Sequence, residues 1–289
     1  LSIAKYEVFM KVVEQGSLTK AAELLGFTQS GVSHTINSLE SELGFTLLLR
    51  GRSGVKLTAN GEQLLKPIRE ILNWNEQLKQ VVTSIHGLET GTIRIGSFTS
   101  VSVHWLPGMM KQYQNDYPNI EFKLMEGDYE EIENWIAAGE VDCGFITIPA
   151  RGSFDVVPLK KDRMLAILPL THPLSQLPFF PLSQIEKEPF IIQRDGSDYD
   201  VRRILDQTSL KPHIKFSSGD DYAIIAMVEN GLGISILPEL VLQGRNHNVH
   251  SLELENHSYR FLGIAVHSMK DASPATKRFV NHVQQWLKC

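Results

Sequence analysis

The chain has 289 residues, 42% hydrophobic and 21% charged, enough apolar material for two or three folded cores and too much for a wholly disordered chain. Its 28 Lys and Arg against 33 Asp and Glu leave a net charge of −5, which excludes a protein that coats nucleic acid by bulk charge. Two cysteines, Cys143 and Cys289, are too few for a disulfide framework and fit a reducing compartment.

Residues 1–57 read as three short helices and a hairpin. Tyr6, Phe9, Val12 and Val13 recur at helical spacing until Gly16. Ser17 is placed to cap a second helix, whose Ala21, Ala22, Leu24 and Leu25 precede Gly26. Thr28 is the candidate cap of a third, with Val32, Ile36, Leu39 and Leu43 on one stripe and Gly44 closing it. Two short helices joined by Gly26-Phe27-Thr28 make a helix-turn-helix pattern. Beyond it, residues 45–50 and 55–58 flank Gly51-Arg52-Ser53-Gly54, the turn chemistry of a hairpin, or wing.

Residues 59–88 carry the longest helical signal. Leu64, Ile71, Leu78 and Ile85 stand seven apart, with Ile68 and Val82 on the second seam and Asn75 between them. Such a helix would be about 40 Å long. A stripe that narrow needs a partner, and a second copy of the chain is the economical one; the alternative is a helix packed within one domain. Pro67 is placed to kink it.

From Gly91 the periodicity changes to strands alternating with helices. Strands are expected at 92–95, 120–124 and 141–147, a helix ending near Tyr117 and another at 129–138. Cys143 falls in the apolar third strand and reads as a packed thiol. This order implies a parallel sheet covered on both faces. A new unit is expected after Pro158, with strands at 190–193, 213–217 and 233–237, helices at 198–209 and 222–230, and a closing amphipathic helix at 274–287. Two α/β lobes around a cleft follow: about 91–161 with 266–289, and about 162–265. Ligands in such sheets bind outside the carboxyl ends of the strands.

The sequence carries no catalytic constellation, so no enzyme and no cofactor are expected. His247, His250 and His257 have no standard metal-ligand spacing. Ser17-Leu18-Thr19-Lys20 matches a Ser-x-x-Lys motif only superficially, because it opens a helix and lacks companions. Gly231-Leu232-Gly233 has no third glycine at the dinucleotide-binding offset. No apolar run reaches the roughly 18 residues of a membrane span, and the first residues lack a signal-peptide core, so a cytoplasmic protein is expected.

One dense, ordered series of residues goes further. Phe9, Val13, Gly16-Ser17-Leu18-Thr19-Lys20-Ala21-Ala22, Leu25, Thr28-Gln29-Ser30, Val32-Ser33, Ile36, Leu39 to Gly44, Leu48, Arg50, Leu57-Thr58 and Gly61 together resemble the DNA-binding end of LysR-type transcriptional regulators. The resemblance continues through the long helix, the strand opening at Gly91 and the turn from Val228 to Ile234 before Leu237-Pro238. Gly31 stands where alanine is usual, and Leu49 where phenylalanine is.

The resemblance implies a winged helix-turn-helix over 1–58, a linker helix over 59–88, and a two-lobed, periplasmic-binding-protein-like α/β effector domain over 91–289. It implies double-stranded DNA and a small-molecule effector as partners, with RNA polymerase a further candidate. It also implies a homodimer through the linker helices, which in the family pair antiparallel although Asn75 alone argues for parallel, and assembly as a homotetramer. Thr28, Gln29, Ser30, Ser33, His34 and Asn37 are the candidate DNA-reading residues, because a recognition helix presents its N-terminal residues to base edges. Arg50, Arg52 and Lys56 are candidate phosphate contacts; no acid stands between Leu43 and Gly61. Residues 1–66 carry a net +1 and the rest −6, so the overall charge describes the sensor and not the head.

For the effector the candidates are Ser97, Phe98, Thr99 and Ser100, just after the first strand, with Thr147 and Gln193 at the ends of two others. Ordinary helix capping is the alternative for Ser97, Thr99 and Ser100. Arg194 beside Asp195, and the pair Asp220-Asp221, leave the ligand's charge open between a carboxylate and an amino acid. A solute-binding protein is the competing class, since residues 91–289 alone resemble two-lobed binding domains, but it would carry no DNA-binding head.

Overall fold

The computed structural model describes residues 1–51, 54–86, 89–194, 196, 198–244 and 246–288. They divide into two units, Leu1–Leu88 with Ala138–Glu140, and Glu89–Ala137 with Val141–Cys289.

The first unit contains α1 (Ile3–Gln15), α2 (Leu18–Leu25), α3 (Gln29–Leu43), a hairpin of β1 (Leu48–Gly51) and β2 (Gly54–Leu57), and α4 (Ala59–Ile85). Ser17 and Thr28 cap α2 and α3 by accepting from the Lys20 and Gly31 N–H groups. Gly26 ends α2 at φ 68°, a left-handed turn that glycine adopts without steric cost. Phe9, Val12, Ala21, Val32, Ile36, Leu39 and Leu47 form the core that these caps enclose. The hairpin is pinned to it three ways: the Val55 N–H donates to the Gly16 carbonyl, the Thr58 N–H to the Leu47 carbonyl, and Glu40 accepts from the Leu47 and Leu48 N–H groups.

Helix α4 runs continuously through Pro67. Packing explains that tolerance, because Ile68 is buried in the head's core with Leu64, Leu65 and Leu72 against it. The seven-residue seam therefore divides. Its first turns complete the head, whereas Leu78 and Ile85 are 62% and 76% exposed and Ile71, Trp74 and Val82 join them on the surface.

The second unit runs β3 (Gly91–Ser97), α5 (Thr99–His104), α6 (Leu106–Asp116), β4 (Ile120–Glu126), α7 (Tyr129–Ala138), β5 (Cys143–Ile148), β6 (Asp155–Pro169), β7 (Phe190–Gln193), α8 (Tyr199–Thr208), β8 (Ile214–Ser218), α9 (Asp221–Glu229), β9 (Ser235–Pro238), α10 (Glu239–Leu242), β10 (Val249–Glu253), β11 (Tyr259–Val266) and α11 (Pro274–Trp286). The single helix expected after the first strand is two, because Pro107 has no N–H to continue α5 and instead sits in the first turn of α6.

In the first lobe β4, β3 and β5 are parallel, and β11 and the first half of β6 extend the sheet antiparallel. In the second lobe β9 and β10 flank the other half of β6, while β7 and β8 form a parallel pair. The lobe boundaries differ from those expected. Strand β6 passes through Pro158 without a break, helped by a register shift between Leu262 and Gly263 opposite it. Residues 259–265, expected in the second lobe, form β11 and pair with β5, because Leu262, Ile264 and Ala265 belong to the first lobe's core. Cys143 is buried on β5, and burial pushes its thiol pKa well up; Cys289 lies outside the described residues.

Candidate functional site

Helix α3 begins at Gln29, and the Thr28 hydroxyl lies 3.1 Å from both the Gly31 N–H nitrogen and the Ser30 hydroxyl. Val32, Ile36 and Leu39 hold one face in the core, which turns Gln29, Ser30, His34 and Asn37 to the surface with Ser33 half-buried. From β1, Arg50 reaches back to this surface. Its Nη1 donates to Ser33 Oγ at 2.9 Å and its Nη2 to Asn37 Oδ1 at 2.6 Å, with Glu40 Oε2 3.7 Å away. Arg50, Ser33 and Asn37 are thus one hydrogen-bonded group. Lys56 is exposed on β2 opposite Leu49; Arg52 lies outside the described residues.

Between the two lobes lies a cleft of about 270 Å³. Phe98, Thr99, Gly127, Asp128 and Tyr129 line it from the first lobe, and Gln193, Arg194, Gly219, Asp221 and Pro238 from the second. At its floor is Arg260, only 2% exposed. Its Nε donates to Asp162 Oδ2 at 2.8 Å, Nη1 to the Tyr129 hydroxyl at 2.8 Å and Nη2 to Ser100 Oγ at 2.9 Å, and the guanidinium lies over the Phe98 ring. The Tyr129 hydroxyl passes the chain on, donating to Asp200 Oδ2 at 3.1 Å.

Burial raises the pKa of Asp200, an effect that Arg260 and Arg203 oppose. Asp221 is raised by burial as well, against Arg260 and a hydrogen bond from Gln193. Burial likewise lifts the Tyr129 hydroxyl far above its ordinary range.

Of the residues expected at the effector site, Phe98, Thr99 and Gln193 line the cleft. Ser100 stands behind it as a ligand of Arg260, Ser97 is 2.7 Å from the Ser102 hydroxyl, and Thr147 is buried on β5 beside Leu262. Arg194 and Asp221, noted in the sequence only for their bearing on the ligand's charge, also line it, whereas Asp128, Tyr129 and Arg260 are not foreseen. The available signal for Arg260 was a lone charge opening the apolar run from Phe261 to Val266.

A family model described as bacterial regulatory helix-turn-helix protein, lysR family, matches residues 3–62, and one described as LysR substrate binding domain matches residues 86–288. The chain belongs to the LysR family. This LysR-type regulator is 34% identical over 288 residues to the uncharacterized HTH-type transcriptional regulator YvbU of Bacillus subtilis, covering 99% of this chain and 98% of that one. A full-length OxyR variant from Pseudomonas aeruginosa shares its fold with a TM-score of 0.80 at 18% identity, over 100% of this chain and 95% of that chain. The Synechocystis CcmR regulatory domain, in complex with 2-PG, matches at a TM-score of 0.65 and 21% identity, over 69% of this chain and 98% of that chain. The LysR-type regulator accordingly binds DNA through its head and carries an effector-binding domain; it is not an enzyme.

Proposed function

We propose that this regulator reads an operator with α3 and adjusts that binding to a small carboxylate or amino acid held between its lobes. Gln29 and Ser30 open the reading face, Ser33 and Asn37 continue it, and Thr28 and His34 flank it. Arg50, Arg52 and Lys56 meet phosphates. Phe98, Thr99 and Gln193 contact the effector, while Ser97, Ser100 and Thr147 support the cleft wall.

The observation that carries the sensing half is Arg260. It holds Ser100, Tyr129 and Asp162 together on the cleft floor, and Tyr129 donates on to Asp200 of the second lobe, so a ligand settling above it meets the hydrogen-bond chain that links the lobes. A ligand that favours one lobe arrangement biases a two-state equilibrium. The 2-PG complex of the similarly folded CcmR domain supports a small-molecule ligand.

The exposed second half of α4 is the surface proposed to pair with a second copy, and two pairs to form a tetramer that works on promoter DNA in the cytoplasm, where RNA polymerase is a further partner. Few phosphate contacts per head make simultaneous engagement of two heads the route to tight binding.

The test is thermal denaturation of the full chain with a panel of carboxylic acids and amino acids, followed by DNA anisotropy with any compound that shifts the midpoint. The expected result is a compound that raises the midpoint and changes DNA affinity. No shift from any compound would overturn the sensing role.

A further inference from the structure

The cleft has a chemical bias. Its lining holds four carboxylates, on Glu126, Asp128, Glu131 and Asp221, against the guanidiniums of Arg194 and Arg260. Arg260 is already engaged, since Asp162 neutralises it and each of its three nitrogens donates to a neighbour, Asp162, Tyr129 or Ser100. Asp128 and Glu131 cap α7 reciprocally through each other's N–H groups, which uses one oxygen of each and leaves their charge at the cleft.

Two side chains from the second lobe have no such explanation. Gln193, at the end of β7, is 5% exposed, and its Oε1 is buried with no hydrogen-bond partner among the described residues. It lines the cleft together with Asp221. An orphaned acceptor in a buried amide is costly and rare in folded proteins. Beside it, Asp221 opens α9, where Asp220 already supplies the cap. Asp221 is therefore not needed as the cap, and its carboxylate is among the groups that line the cleft.

We propose that the cleft takes a ligand bearing a protonated amine, which donates to Gln193 Oε1 and lies against the Asp221 carboxylate. The inference rests on reading the cleft as the effector site. An ammonium group supplies donors for the orphaned oxygen and adds to the countercharge that Arg260 already gives the carboxylate. A dicarboxylate supplies neither and adds negative charge to a lining already rich in it.

Calorimetry on the full-length protein tests this with matched pairs. Common amino acids and the diamines putrescine and cadaverine are each compared with the counterpart in which hydrogen replaces an amino group. The expected binder is an amine whose counterpart binds about tenfold more weakly or less. Gln193→Met and Asp221→Asn are each expected to weaken that amine by a similar factor. Binding by amino acids and not by the diamines would place a carboxylate on Arg194 as well, and binding by both would show that the amine suffices; either supports the proposal. An amine-free acid binding as tightly as its amine, or an affinity unchanged in both variants, would overturn it while leaving the cleft as an effector site. No binding by any member would overturn both.

Discussion

Arg260 and Asp162 stand directly opposite one another in the register of β11 and β6, and their side chains form a buried ion pair at 2.7 Å. Asp162 lies where β6 passes from one lobe's sheet to the other's, and its second oxygen accepts from the Leu240 N–H. One cross-strand pair thereby holds the crossover of β6 and the floor of the cleft together.

Removing one partner of a buried pair leaves the other charged and unsolvated. Arg260→Met is expected to cost about 3–5 kcal/mol in urea unfolding of the effector domain and to abolish ligand binding. A loss below about 1 kcal/mol would show that solvent already reaches the pair.

Asp221 should give the opposite sign. Burial raises its pKa above the ordinary value of 3.8, so folding favours the protonated carboxyl. Its contribution to stability is full below that ordinary value and is lost as pH rises through the folded-state value. Asp221→Asn is therefore expected to raise the thermal midpoint at neutral pH, with the gain shrinking as pH falls toward 3.8. A gain independent of pH would remove ionisation from the explanation.

In the head, Arg52→Ala is expected to weaken binding to all sequences alike and to lower the salt slope by about one. Asn37→Ala differs, because Asn37 shares Arg50 with Ser33. It should change base preference at one position, read by anisotropy on single-substitution duplexes. An even loss across all duplexes would return Asn37 to a supporting role.

For assembly, Leu78→Asp is the discriminating change. Leu78 is 62% exposed in the single chain, so the substitution leaves the chain's own cores intact. Sedimentation is expected to show loss of the dimer, with weaker DNA binding as a consequence. An unchanged mass would place the dimer contact elsewhere.

The head was legible because its signals are short-range. Ser17, Thr28 and the stripe Val32, Ile36, Leu39 each act within one or two turns, and the structure uses them as expected. The lobes were legible as an alternation of strands and helices but not in their boundary, because β11 finds its partners β5 and β6 about a hundred residues earlier in the chain. Distance hid the sites for the same reason. Arg50 on β1 meets Ser33 and Asn37 on α3, and Arg260 meets Ser100, Tyr129 and Asp162 from separate elements 98 or more residues away in the chain, so neither grouping leaves a local pattern. Gln193 was foreseen from its place at a strand end; its orphaned oxygen was not, because satisfaction of a hydrogen bond belongs to the assembled fold.

Sequence-specific DNA recognition by paired heads is open to a genome-wide binding map of the protein in its own cells. Discrete sites sharing a near-palindromic motif are expected, with half-sites about 34 Å or a multiple apart. Uniform occupancy with no shared motif would contradict it.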